Sequence, residues 1–378
     1  MRTYNVHSEI LFERPMTNLF RSTRAQSTEN FGKSAAERLL LRPDWGKALL
    51  LSGELGSGKT TFARGFFAGL GISLNAQSPT FTFFREYPFA DQLLVHADLY
   101  RFSEERPTQS RPEIVAALQE YFEQGALLLI EWADLFATEL AEAFSGNSIT
   151  LDITRGESEE ARIFAVEFQN SGSISTTQVE ALMEEFCTPI HVRQHIEKVT
   201  EVAMQLAAEL FAAGVFLDSD LVKNGALCHD LVRFVDFKDF SDPSRYQEEV
   251  TPKKIAVWEK TKAYYSGRHH AAAISAILRQ RGFFATAKIT EAHHTTEIFR
   301  PEPFSWEEKI VYYADKRVLH DRIVSLEERF ADGRKRYALE ANLELEEKVF
   351  ALEREIFRHL PITPEKIREN ILSPGNFF

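Results

Sequence analysis

The segment Gly53-Glu54-Leu55-Gly56-Ser57-Gly58-Lys59-Thr60 fits the pattern GxxxxGK[ST], and it constrains the fold more than any other stretch of the chain. The apolar run KALLLSG (47–53) leads into it. FARGFFAGL, ended by Gly71, follows at helical spacing. Strand, glycine loop and helix in that order form the context in which successive backbone N–H groups converge on phosphate oxygens. Glycine admits positive φ in such a loop, and the helix adds the positive end of its dipole. Lys59 is expected to reach the β- and γ-phosphates of a nucleotide. The Thr60 hydroxyl is expected to ligate Mg²⁺, and Gly53 through Thr61 form the cradle.

Further short apolar runs, QLLVHAD (92–98) and ALLLIEW (126–132), alternate with helical patterns. That alternation predicts an α/β domain with a partly parallel sheet. SITLDIT and ARIFAVEF flank RGESEE and predict a hairpin that closes the domain. QNSGSISTT (169–177) is polar and without periodicity, as a linker would be. Beyond it the pattern is helical almost throughout. Val199, Val202, Leu206 and Leu210 recur at helical spacing and stop at Gly214. Later helices are predicted over 218–233, 252–265, 269–281, 306–330 and 340–359, and residues 1–20 carry no strong signal. A chain of 378 residues is long enough for two domains. The expected division is 1–170 with a core at 25–168, a linker at 171–180, and a mainly helical domain at 181–378.

Composition excludes some function classes. Asp and Glu outnumber Lys and Arg 56 to 44, for a net charge of −12, which argues against binding nucleic acid by bulk phosphate neutralisation. Two cysteines make no disulfide framework and suit a reducing compartment. No apolar run approaches the roughly 20 residues that span a bilayer, and the N-terminus shows no signal-peptide core. A cytoplasmic setting without membrane association is the expectation.

Three more segments accompany the glycine loop: Ser78-Pro79-Thr80-Phe81, His96-Ala97-Asp98-Leu99-Tyr100-Arg101 and Ile130-Glu131-Trp132. With the loop, in this order and spacing, the set resembles the TsaE family, the small ATPases of bacterial tRNA threonylcarbamoyladenosine synthesis. The resemblance covers about residues 25–168 and implies a P-loop NTPase fold with a mostly parallel sheet. Glu54, Ser57 and Ala97 depart mildly from the family pattern without removing a functional group. The resemblance implies ATP with Mg²⁺ as cofactor, Thr80 in a switch-like loop near the γ-phosphate, Asp98 holding Mg²⁺, and Glu131 orienting the attacking water. It also implies a TsaB–TsaD complex as partner, and the acidic balance favours that protein partner over direct tRNA contact. Asp98 and Glu131 have the alternative of a structural pair with Arg101. Trp132 either stacks on the nucleotide or fills core. His96 is read as a packed or hydrogen-bonded residue.

In the second half, His195 opens HIEKVTEVAMQLAAEL on the face of its apolar stripe, His229-Asp230 lies within LVKNGALCHDLVRF, and Asp315 lies inward in YYADKRV. Three helices thus turn imidazole or carboxylate toward a core, where such groups are costly unless satisfied, and a shared metal would satisfy them. The order H…HD…D resembles the HD-domain metal-dependent phosphohydrolase superfamily over roughly 186–330. That implies an all-α HD fold and a first metal held by His195, His229, Asp230 and Asp315. The donor set suits Mn, Fe, Co, Ni or Zn. His270 and His293 would serve a second metal, with Asp230 as the catalytic, bridging carboxylate. His191, His269 and His294 are weaker candidates, read as supporting or surface residues. Cys228 reads as a small buried apolar residue. His229-Asp230-Leu231-Val232-Arg233 lacks the Gly and Lys of HDIGK and no GYP follows, which disfavours cyclic dinucleotides. Arg233 binds a substrate phosphate or makes a surface pair.

The reading that results is an ATPase fused to a phosphohydrolase for a nucleotide or other phosphate ester. Two alternatives stand beside it: a non-catalytic nucleotide or metal sensor in the HD half, and a nucleotide-gated assembly factor in the P-loop half.

Overall fold

The computed structural model describes residues 18–42, 47–73, 84–102, 111–242, 246, 248–337 and 342–367. The contacts divide the chain into two units: Thr17–Gly172 with Glu209–Asp218, and Ser173–Ala208 with Ser219–Phe378.

The first unit runs β1 (Asn18–Ser22), α1 (Ala25–Leu41), β2 (Ala48–Ser52), α2 (Lys59–Gly69), β3 (Phe84–Phe89), β4 (Gln92–Asp98), α3 (Arg111–Glu123), β5 (Leu127–Glu131), α4 (Ala137–Ala143), β6 (Asn147–Arg155) and β7 (Arg162–Asn170). Its seven strands make one sheet in the order β1-β7-β6-β2-β5-β4-β3. The inner pairs β6–β2, β2–β5 and β5–β4 are parallel and the outer pairs antiparallel. β2 and β5 are buried along their whole length, as unbroken apolar runs must be when both sheet faces are covered. The register sets Glu131 opposite both Leu51 and Asp98, so the end of β2, Asp98 and Glu131 meet at one edge of the sheet. That carboxyl edge is where α/β sheets bind ligands. β6 and β7 form the hairpin expected around RGESEE. β1 and β3 went unpredicted. β1 is only five residues long, and β3 carries Pro88, which a strand at the sheet edge tolerates.

Helices α1 and α2 approach closely through glycines. A Cβ on Gly65 would lie 1.9 Å from Glu29 O, and one on Gly32 would lie 2.2 Å from Phe62 O. Gly65→Ala should therefore cost about 1–3 kcal/mol by overpacking, despite alanine's higher helix propensity. Urea denaturation checks this, and an unchanged midpoint would show that the two helices part freely. The residues Glu209–Asp218 belong to the same unit. Phe211 and Phe216 pack their rings on Phe31 at 5.7 and 5.2 Å. The Phe216 N–H donates to Ser34 Oγ at 2.9 Å. Asp218 faces buried Arg38 at 4.0 Å.

The second unit carries α5 (Thr176–Glu185), α6 (Ile190–Ala212), α7 (Ser219–Cys228), α8 (Pro252–Tyr264), α9 (His270–Gln280), α10 (Phe284–Ala292), α11 (Trp306–Lys316), β8 (Val318–Leu319), β9 (Arg322–Ile323), α12 (Leu326–Tyr337) and α13 (Leu343–Phe357). From Glu209 onward α6 counts with the first unit. Of the segment expected as a linker, 171–175 is non-helical. Ser175 then starts α5 with a reciprocal capping box to Gln178. Three details differ from the expected helices. The predicted helix 306–330 is broken: β8 and β9 pair antiparallel around His320, at φ 59°, and Ser325 starts α12. The helix expected over 218–233 stops at Cys228, so His229 and Asp230 lie in the turn that follows. The unpredicted α10 fits against α7 because Gly225 is a glycine; a Cβ there would lie 2.4 Å from Ile289 Cγ2. His229 and His293 follow the ends of these two helices, and their rings sit 5.2 Å apart. Among the described residues no helix is long and apolar enough to cross a membrane.

Candidate functional site

In the first unit, Gly53, Gly56 and Gly58 hold φ of 136°, 76° and 108°, as the glycine loop requires. At Gly53 a side chain has no room either, since a Cβ would lie 2.3 Å from Ile153 O. Lys59 Nζ donates to Gly53 O at 2.5 Å and Glu54 O at 3.0 Å, and lies 3.6 Å from the Trp132 ring centre. Burial lowers its pKa, while Glu131, Asp134 and Asp98 pull the other way. Thr60 Oγ1 donates to Glu131 Oε2 at 3.3 Å, and the other carboxylate oxygen meets His96 Nε2 at 2.9 Å. Asp98 Oδ1 accepts the Tyr100 N–H at 3.2 Å. Tyr100 packs on Trp132 at 4.7 Å, and Trp132 itself is half-buried in the left-handed region at φ 62°. Thr61 follows on α2, half-buried, and Leu55 is exposed on the loop. Thr80, the Ser78–Phe81 segment and the Arg101 side chain lie outside the described residues.

The set fits a nucleotide with Mg²⁺. The loop glycines are shaped for it, and Thr60, Asp98 and Glu131 offer oxygen donors at one sheet edge, the ligand type a hard cation takes. Two residues escaped the sequence reading. Arg155 donates to Leu55 O at 3.0 Å and Arg162 to Gly56 O at 3.1 Å, so the end of the β6–β7 hairpin holds the loop from its carbonyl side. Their position on either side of GESEE, paired in register, was the available signal.

The second unit gathers all six predicted metal ligands. His195 Nε2 lies 3.2 Å from Asp315 Oδ1 and 3.8 Å from Asp230 Oδ2. His229 Nε2 lies 3.9 Å from each of these same two oxygens. The other oxygen of Asp230, Oδ1, faces His270 Nε2 at 2.7 Å and His293 Nε2 at 3.6 Å. His195, His229 and Asp230 form one group able to hold a metal, and Asp230, His270 and His293 a second. Asp230 belongs to both. His229 Nε2 is wholly buried and has no hydrogen-bond partner, while its Nδ1 is held by Ala226 O at 2.6 Å. A buried ring nitrogen left without a partner is costly, and a dication is the partner that this donor set fits. Burial first, and then the neighbouring His293 and His195, take the His229 pKa down to about 4 against the pull of Asp230 and Asp315, which keeps it neutral and ready to ligate. Burial would raise the carboxyls of Asp230 and Asp315, but the cations around them hold both well below the usual range: chiefly His270 and Arg233 for Asp230, and chiefly Lys316 for Asp315.

The remaining nitrogens are oriented from behind. His195 Nδ1 meets His320 O at 2.8 Å, and His293 Nδ1 bonds Thr290 O. Asp236, which the sequence reading missed, takes the His270 N–H at 3.0 Å and the ring Nδ1 at 2.5 Å. Such outer contacts fix which nitrogen faces a metal. His269 Nδ1 accepts the Ala271 N–H at the start of α9, and its Nε2 faces Asp236 at 3.3 Å. His294 Nδ1 accepts the Thr296 N–H. His191 stacks on Phe237 at 6.0 Å and belongs to neither group above. Cys228 is buried and its thiol is pushed up by burial.

Comparison with known proteins finds relatives for both halves of the chain. A sequence model of the threonylcarbamoyl adenosine biosynthesis protein TsaE matches residues 22–164, and one of the HD domain matches residues 192–318. The tRNA threonylcarbamoyladenosine biosynthesis protein TsaE of Haemophilus influenzae is 37% identical over 115 residues, 30% of this chain and 69% of that protein. The protein of the same description from Bacillus subtilis is 41% identical over 97 residues, 26% of this chain and 57% of its own length. That from Treponema pallidum is 34% identical over 129 residues, 32% of this chain and 82% of its own length. The chain belongs to the TsaE family through its N-terminal half and carries an HD domain in its C-terminal half.

Proposed function

We propose that the N-terminal half hydrolyses ATP with Mg²⁺ in support of threonylcarbamoyladenosine synthesis on tRNA, acting in the cytoplasm with a TsaB–TsaD-type protein complex. The C-terminal half, on the same reading, is a metal-dependent phosphohydrolase for a nucleotide or other phosphate ester. For the first half, the supporting observation is Glu131, whose two oxygens are engaged by Thr60 and His96 beside Lys59. Thr60 and Asp98 would hold Mg²⁺, which when bound supplies charge neutralisation on the transferring phosphoryl group. Lys59 exchanges the carbonyls of Gly53 and Glu54 for phosphate oxygens. Glu131 orients the attacking water, and Thr80 belongs to the same proposal as a switch residue. Glu131→Gln keeps size and removes charge. It should slow ATP turnover about 100-fold or more while ATP affinity changes less than about threefold. Turnover and calorimetric affinity measured side by side decide it, and an equal loss in both would reassign Glu131 to binding.

For the second half, the supporting observation is Asp230, with one oxygen turned to each imidazole group. His195, His229, Asp230 and Asp315 would hold one dication, and Asp230, His270 and His293 another. Mn, Fe, Co, Ni and Zn suit these donors, and when bound such ions supply Lewis acidity and a nucleophile at neutral pH. The chain's own part is to keep four imidazoles in fixed orientation with a nitrogen of each turned inward. The full chain should release phosphate from an ester panel in the presence of Mn²⁺, Co²⁺ or Ni²⁺. No turnover with any of them would sink the hydrolase reading.

A further inference from the structure

We infer that the C-terminal site selects phosphate groups carrying two negative charges, those of phosphomonoesters or terminal diphosphates, over the singly charged group of a phosphodiester, and that Arg233 is a specificity residue. The inference rests on the phosphohydrolase reading and names the substrate class for it.

It follows from charge and placement. Three carboxylates stand in the cluster: Asp230, Asp236 and Asp315. Two side-chain cations stand with them. Lys316 Nζ lies 2.6 Å from Asp315 Oδ2, on the side of the first metal group. The Arg233 guanidinium lies against the His270 ring on the side of the second. Its Nη1 is 2.9 and 3.0 Å from the two ring nitrogens, 3.8 Å from Asp230 Oδ1 and 4.0 Å from Asp236 Oδ2. With a dication in each group, the three carboxylates leave about three positive charges uncompensated. A phosphomonoester dianion offsets two of them and a diester only one, so a charge gap between the two substrate classes is built into the site.

Arg233 is the cation placed to read that difference. Its side chain keeps 35% of its surface exposed, so it borders solvent, whereas the Lys316 side chain keeps 11%. The carboxylate beside it, Asp230, is the one that the metals would share. A guanidinium next to a neutralised carboxylate takes a phosphate oxygen as its acceptor, in the bidentate geometry that arginine favours.

The test uses the full chain with Mn²⁺, and p-nitrophenyl phosphate beside bis-p-nitrophenyl phosphate, which share a leaving group. The monoester should be preferred at least about tenfold in kcat/KM, and inorganic phosphate should compete with it. Arg233→Ala should raise the monoester KM about tenfold and weaken calorimetric binding of inorganic phosphate to match. Its metal content by elemental analysis should stay the same, and Arg233→Lys should recover part of the loss. Equal or better use of the diester, or an Arg233→Ala variant with unchanged KM and phosphate affinity, would overturn the inference and leave the hydrolase reading standing. Arg233-dependent binding of inorganic phosphate with no binding of dimethyl phosphate, and neither ester cleaved, would uphold the selection of the doubly charged group and sink the hydrolase reading. Neither cleavage nor phosphate binding would overturn both.

Discussion

Asp230→Ala should empty the C-terminal site of metal and abolish its phosphohydrolase turnover. Asp230 is common to both imidazole groups, through Oδ2 to His195 and His229 and through Oδ1 to His270 and His293. Alanine there leaves four inward-facing imidazoles with Asp315 on one side and no shared anion between them. Loss of an outer contact alone costs about 10–100-fold in metal affinity or activity, so loss of a shared ligand should cost more than about 100-fold. The variant is expected to be less stable as well, because metal binding and folding are coupled. Circular dichroism therefore accompanies elemental analysis. His191→Ala is the control: it lies one helical turn before His195 but packs on Phe237 and Tyr246, so most metal should remain. Full metal in the Asp230 variant and none in the His191 variant would overturn the ligand assignment.

Lys59→Ala should reduce ATP hydrolysis about 100-fold or more, because it removes the cation that meets charge developing on the transferring phosphoryl group. Hydrolysis of a non-nucleotide ester in the C-terminal site should persist. The contacts of Lys59 with Gly53 O, Glu54 O and the Trp132 ring all lie within its own unit. ATP turnover that survives in this variant would place the hydrolysis elsewhere, with the HD half as the first suspect.

What was legible in the sequence was what lies contiguously along it. The glycine loop needs eight adjacent residues between a strand and a helix, and His229-Asp230 is a dipeptide, so both could be found by reading along the chain. The other candidate ligands followed from helical spacing, because His195 and Asp315 share faces with apolar neighbours. What escaped depends on pairing between distant segments. The bond from His96 to Glu131 comes from the register of β4 on β5. The hold of Arg155 and Arg162 on the loop comes from how the β6–β7 hairpin ends beside β2. Asp236 grips His270 only because the turn after Asp230 returns to the start of α9. The broken helix at 306–330 has its own cause. Val311, Asp315 and Val318 share a helical stripe that reads as continuous along the chain, and the left-handed His320 and the cap at Ser325 are what end it.

The residues Glu209–Asp218 have a consequence for how such a fusion can be taken apart. They comprise the last turn of α6 and the residues after it, beyond the turn at 171–175 in sequence, yet they are packed with the first unit through Phe211, Phe216 and Asp218. Cutting the gene at the obvious seam would strip Phe31 of two ring neighbours and take Asp218 away from Arg38. A boundary drawn at residues 171–175 therefore leaves the first unit without residues 209–218, and a fragment meant to hold that unit whole has to carry them as well.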